Sequence, residues 1–185
     1  MFKYEDLSFR PVEEKDIESI RKIRNDETTW KCLTYAEMIN PLNQIDWYIK
    51  MSKDPLMQYF VVEQETSNFP VQSKEIIGFI RMDCIDKENR SRRVGFDVEP
   101  SKRGQGYGTR IMLAIQKYCF NNLGVNRLWL CVVEDNEIAK KLYENTGFKE
   151  EGRYRKAIWR DGKYKDYIIM SILESEYREQ HAFRK

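Results

Sequence analysis

The chain has 185 residues, 41% hydrophobic and 13% aromatic, and a formal net charge of only +2 although 34% of its residues are charged. Such a composition folds around a core and excludes a disordered chain, while the small net charge argues against a general nucleic-acid binder. No apolar run reaches bilayer-spanning length and the N-terminus lacks a signal-peptide core, so a cytoplasmic protein with no membrane partner is expected.

One domain over residues 1–185 suits this length, and no linker composition interrupts it. Cys32, Cys84, Cys119 and Cys131 are far apart and form no C-x-x-C pair. They read as reduced, mostly buried thiols with no metal site. The sole histidine, His181, lies in a charged tail, which argues against a catalytic histidine.

Leu7–Arg10 is a short strand ended by Pro11. Glu13, Glu14 and Asp16 open a helix, negative charge at the positive end of its dipole, and Ile17, Ile20, Ile23 and Arg24 share one face. That helix stops near Asn25-Asp26, and Glu27 to Ile39 carries no clear period. Asn40-Pro41 supplies an N-cap and a proline at the first helical position, opening a helix that Asp54-Pro55 closes. Gln58–Glu63, Glu75–Cys84 and Arg92–Val98 are strands by their β-branched and aromatic content. The loop Thr66 to Ser73 and the turn around Asp86 to Asn89 are too short for crossovers, so the three form an antiparallel meander.

Val94 to Thr109 reads as a strand, a glycine-rich turn and the start of a helix. Gly104, Gly106 and Gly108 stand at alternate positions, and the amides of a helix N-terminus attract phosphate. Lys102, Arg103 and Arg110 add formal positive charge. The stretch therefore suits a phosphorylated cofactor. A dinucleotide loop would need glycine where Thr109 stands, and no Gly-Lys-Ser/Thr run exists for a P-loop.

Tyr107 to Asn122 is a helix with Ile111, Ala114, Ile115, Tyr118 and Cys119 on one stripe and Gly124 beyond its end. Leu128–Val133 is almost wholly apolar, as a strand buried on both faces is, and a right-handed crossover sets it parallel to Arg92–Val98. Asn136 caps another helix, which ends at Gly147. Asp161-Gly162 signals a hairpin between Arg153–Trp159 and Tyr164–Leu173. From Glu174 the charged tail is expected to fray over 175–185.

Two motifs in this order, Arg103-x-x-Gly106-x-Gly108 and Asn136-x-x-Ala139-x-x-Leu142-Tyr143-Glu144-x-x-Gly147-Phe148, resemble the two cofactor-side signatures of the GNAT N-acetyltransferases. The order of elements is similar to that family along nearly the whole chain. Leu7 to Pro11, Arg24-Asn25-Asp26 and Asp161-Gly162-Lys163-Tyr164 most resemble the branch with ribosomal-protein-alanine, polyamine and amino-sugar acetyltransferases. The resemblance implies an α/β (α+β) fold, with a mixed, mostly antiparallel sheet of about seven strands flanked by helices. A splayed strand pair in that sheet would hold acyl-CoA.

The implied reaction is direct attack of a primary amine on acetyl-CoA, without a metal, by a monomer or homodimer. Asp97, Val98 and Glu99 would meet the pantetheine arm, with the Val98 N–H on the thioester carbonyl. Arg103, Gly104, Gln105, Gly106, Tyr107, Gly108 and Thr109 would hold the pyrophosphate, while Asn136, Ala139 and Tyr143 would close the other side. Tyr143 would protonate the departing thiolate, a role its ordinary pKa near 10 suits.

Deprotonating a lysine-like amine at pH 7 costs about 4.6 kcal/mol and an α-amine only about 1 kcal/mol, so the need for a base depends on the acceptor. Cys131 stands where some protein N-terminal acetyltransferases carry a glutamate, and a protonated thiol is a poor base. Glu134, Asp97, Glu99 and Asp83 are substitutes among which the sequence does not choose. Glu27 to Asp54, the loop Thr66 to Ser73 and the hairpin at Asp161 would shape the acceptor site. Arg153, Arg155, Lys156 and Arg160 suit an anionic acceptor such as an amino sugar on a nucleotide. A protein N-terminus stays open, and the acidic run Glu13 to Glu18 keeps a polyamine open. The alternative to an enzyme is a catalytically idle acyl-CoA-binding sensor or interaction module.

Overall fold

A computed structural model describes residues 1–34, 37–66 and 73–182. The loop expected over Thr66 to Ser73 therefore lies almost wholly outside the described residues. The strands are β1 (Phe2–Tyr4), β2 (Leu7–Pro11), β3 (Gln58–Thr66), β4 (Ser73–Asp86), β5 (Ser91–Val98), β6 (Arg127–Val133), β7 (Lys149–Arg160) and β8 (Lys163–Leu173). They form one eight-stranded sheet in the order β1-β2-β3-β4-β5-β6-β8-β7. Every neighbouring pair is antiparallel except β5–β6. The helices are α1 (Ile17–Asn25), α2 (Glu27–Trp30), α3 (Pro41–Lys53), α4 (Tyr107–Lys117), α5 (Glu137–Asn145) and α6 (Glu174–Ala182).

The alternation of side chains along each strand divides the core into two layers. Ile80, Met82, Leu128, Ile168 and Ile172 pack with Ile111, Ile115 and Phe120 in the larger one. Val61 and Phe79 meet Ile20, Ile23 and Met51 in a smaller layer under α1 and α3. Local signals place several boundaries. Asn40 caps α3 by accepting from the Asn43 amide at 2.8 Å, and the Asp161-Gly162 turn has φ of +51° and +74°, as its hairpin type requires.

Four expectations change. β1 adds an eighth strand, turned through Glu5 at φ +52° and held by stacking of Phe2 on Phe9 and Tyr118 at 4.5 and 4.3 Å. The frayed tail is instead α6 as far as Ala182, because Tyr177 is buried on Phe120 at 4.8 Å and Glu176 pairs with Lys149 at 2.6 Å. β6 is not buried on both faces: Trp129 and Cys131 are half-buried, and Trp129 spends its outer face on the guanidiniums of Arg93 and Arg127, 5.6 and 5.7 Å away. Of the thiols, Cys119 is buried and Cys131 partly so, whereas Cys32 and Cys84 are exposed.

Beneath α1, Arg10 sits between two buried carboxylates. It donates to both oxygens of Asp16 at 2.6 and 2.8 Å and to Glu63 at 2.7 and 2.9 Å. This joins β2, β3 and the entry to α1.

Candidate active site

Strands β5 and β6 pair only through Ser91 to Arg93 and Arg127 to Trp129 and then part. On the β4 side the Glu99 amide donates to Ile77 at 2.8 Å and Asp97 lies opposite Phe79. Since successive amides along a strand point to opposite neighbours, the Val98 N–H points into the gap. Of the three residues expected on pantetheine, only Val98 turns its amide that way; the amides of Asp97 and Glu99 face β4, and the Glu99 carbonyl accepts from the Lys102 amide at 2.9 Å. The Val98 carbonyl accepts from Arg103 Nε at 3.1 Å.

The glycine loop follows. Gly104 and Gly106 have φ of +75° and +81°, which side chains rarely adopt, and open space surrounds both. Gly108 is needed for another reason: a Cβ there would lie 2.7 Å from Leu142 Cδ1 of α5. The first amide after the loop with a backbone acceptor is that of Arg110, bonded to Gly106, so those of Gly104 to Thr109 have none among the described residues. This arc of free donors at a helix N-terminus fits a pyrophosphate.

The nearby cations are already engaged. Lys102 pairs with Glu75 at 2.8 Å, and Arg110 with Glu5 at 2.8 Å and with Asp6. Arg103 reaches away from the loop to the hydroxyls of Thr28 (2.5 Å) and Thr29 in α2. Any attraction for phosphate would therefore come from amides and dipole rather than from these side chains. Gln105 turns its amide back to the Ser101 carbonyl at 3.0 Å, Tyr107 bonds Gln64, and Thr109 is exposed.

On the far side of the gap, Asn136 Oδ1 caps α5 by accepting from the Ala139 amide at 3.2 Å, and Ala139 packs on the core. Tyr143 is buried with its ring edge-on to Phe96, centroids 6.3 Å apart, and next to Phe148 at 5.9 Å. Its hydroxyl makes no hydrogen bond among the described residues. Burial chiefly raises the Tyr143 pKa; the Asp97 carboxylate adds to the rise and Arg81 opposes it. Phe96, which the sequence reading passed over, also lies 3.7 Å from where a Gly108 Cβ would stand, so it joins the loop to α5.

The candidate bases are mostly occupied. Asp83 is bidentate to Arg93 at 2.6 and 2.8 Å, Glu99 caps the Ser101 amide at 2.8 Å, and Glu134 accepts from the Asp166 amide at 2.9 Å. Burial raises the Cys131 pKa, which keeps the thiol protonated. Of the four hairpin cations expected at an anionic edge, Arg153 pairs with Glu150 at 2.8 Å and buried Arg160 donates to the Leu33 carbonyl, while Arg155 and Lys156 are exposed, as is Lys163 across the turn. In the acidic run, Asp16, Glu13 and Glu18 are likewise paired with Arg10, Lys15 and Arg21, and exposed Glu14 has no ion pair among the described residues. On the α1 face of β4 and β5, beside Val98, a different group stands: Arg24, Arg81 and Asp97, each with a buried side-chain atom lacking a hydrogen-bond partner. Arg24 was visible in sequence as a cation on an apolar helix face.

Residues 6–149 match the acetyltransferase (GNAT) domain family. The chain is 26% identical over 175 residues to a putative ribosomal N-acetyltransferase, YdaF, of Bacillus subtilis, covering 94% of each protein. It is 28% identical over 172 residues to the spermidine N(1)-acetyltransferase of Vibrio cholerae, covering 92% of this chain and 95% of the relative. The crystal structure of the Vibrio cholerae spermidine N-acetyltransferase with CoA and spermine superposes with a TM-score of 0.84 at 26% identity, over 94% of this chain and 99% of that one.

Proposed function

The chain belongs to the GNAT acetyltransferase family, and from that premise we propose that it transfers the acetyl group of acetyl-CoA to a primary amine, with the gap between β5 and β6 as its reaction centre. The observation that carries this reading is the arc of unpaired amides from Gly104 to Thr109 opening beside that gap.

In the proposed reaction the neutral amine attacks the thioester carbonyl carbon. Charge grows on the carbonyl oxygen, and the Val98 N–H is placed to donate to it, an interaction that strengthens as the oxyanion develops. The C–S bond then breaks and the sulfur takes its proton from the Tyr143 hydroxyl. The proton released by the amine passes to solvent, from which Tyr143 regains its own, and none of the carboxylates above is assigned as base. Asn136 serves as the cap of α5, and Nδ2, which the cap leaves unused, would be its donor to the cofactor.

A thiol-release assay with acetyl-CoA and a panel of amines tests this. Release that depends on at least one amine is expected. Acetyl-CoA binding with no amine-dependent release would favour the idle sensor module instead, and failure to bind acetyl-CoA at all would refute both.

A further inference from the structure

We propose that Arg24 and Arg81 form an anion subsite for the acceptor, so that the amine acetylated carries a carboxylate or a phosphate close to its nitrogen. This rests on the acetyltransferase reading above.

Arg24, at the end of α1, makes no hydrogen bond or ion pair among the described residues; its Nε is buried, and the guanidinium lies over Phe79, 5.9 Å from the ring centroid. Arg81 lies flat over β5, where a Cβ on Gly95 would be 2.7 Å from Nη2. Its buried Nη1 stands 3.6 Å from Asp97 Oδ2, an ion pair too long for a hydrogen bond, and neither atom has a hydrogen-bond partner among the described residues. Asp83, the other carboxylate nearby, is committed to Arg93. Asp97 is thus loosely held by Arg81 alone, and the charges of both act on Arg24.

Arg10 shows what a structural buried arginine looks like in the same molecule, with two carboxylates saturating it. Withdrawing a guanidinium from water without such partners is costly, and burial lowers the Arg24 pKa accordingly. The unpaired atoms are complementary to a zwitterion: an ammonium at Asp97 Oδ2 and an anion between the arginines. The place is right for the acceptor, since Asp97 adjoins Val98, and Asp97 and Arg81 both act on the ionisation of Tyr143. A polycation would bring its second ammonium against two guanidiniums. The expected anion preference thus moves from the hairpin edge to the floor of the sheet.

Thiol release should be compared for matched acceptors: an α-amino acid against its amide, glucosamine 6-phosphate against glucosamine, and spermidine as the polycation. One anionic member should exceed its neutral partner in kcat/KM by about tenfold or more, the weight of one charge-assisted hydrogen bond; which pair responds separates carboxylate from phosphate. Arg24→Met should bring that ratio close to one, mainly through KM. Its melting temperature should equal or exceed that of the native protein, because an unpaired buried charge is removed. Equal use of neutral and anionic members, a preference for spermidine, or an Arg24→Met protein that melts several degrees lower would each overturn the inference. Absence of acetyl-CoA binding in calorimetry would instead refute the acetyltransferase reading, and this one with it.

Discussion

Burial of the Tyr143 ring raises its pKa, chiefly by desolvation, with Asp97 adding to the rise and Arg81 opposing it. A raised phenol pKa means that the proton stays on through the neutral range and beyond the ordinary tyrosine value near 10. As the proposed acid for thiolate departure, Tyr143 would then be in its working form wherever the amine is deprotonated. Acceptor kcat/KM should rise with pH as the amine loses its proton and then stay level to about pH 10. A fall centred between pH 8 and pH 9 in the pH–rate profile would contradict the role given to Tyr143. Tyr143→Phe should lower kcat by about 10²-fold or more while the calorimetric affinity for acetyl-CoA holds; unchanged kcat would sink the assignment. At the glycine positions the residue scale also separates two demands that spacing alone merged. Gly104 and Gly106 answer to backbone φ, and Gly108 to contact with Leu142.

Among the elements, the tie between β2, β3 and α1 rests on Arg10. Arg10→Ala would leave Asp16, 2% exposed, as a buried carboxylate with no ion-pair partner among the described residues, and Glu63, 6% exposed, with only Lys74 at 3.7 Å, at a cost of about 3 kcal/mol or more in urea unfolding at pH 7. For Asp16, burial pushes the pKa up, but the Arg10 guanidinium and the Glu13 amide outweigh it and the net shift is downward. A depressed carboxyl pKa contributes stability that is present above the unfolded value, near 3.9, and lost as pH falls through the folded one. The gap between native and Arg10→Ala proteins should therefore shrink as the pH drops below about 4. A gap as wide at pH 3 as at pH 7 would show that this pairing is not its source. Elements with local signals were legible in the sequence: the Asn40-Pro41 start of α3, the Asn136 cap of α5, the glycine loop and the Asp161-Gly162 turn. β1 and α6 were not, because a three-residue strand and a charged helix take their stability from aromatic contacts that Phe2 and Tyr177 make with residues of other elements. The Arg24, Arg81 and Asp97 group escaped for the same reason. Its members come from α1, β4 and β5, and only the folded sheet brings them together.

At the scale of the whole molecule, the eight strands behave as five and three. β1 to β5 and β6 to β8 are each continuously bonded, and a short parallel ladder at Ser91 to Arg93 is what links them. An extended ligand with amide groups, lying between Val98 and β6, would act as a missing strand. The backbone amides of Phe96 and Val98 should then exchange hydrogen quickly in the free protein and become protected when acetyl-CoA binds. At a ligand concentration one hundred times Kd the gain is about 2.7 kcal/mol, or roughly 5–10 °C in melting temperature for a chain of this size. Exchange at those two amides that ignores acetyl-CoA would place the ligand elsewhere. The parting of β5 and β6 thus makes the free enzyme two half-sheets with a seam, and a donor substrate held in that seam would be a mechanical part of the fold for as long as it stayed.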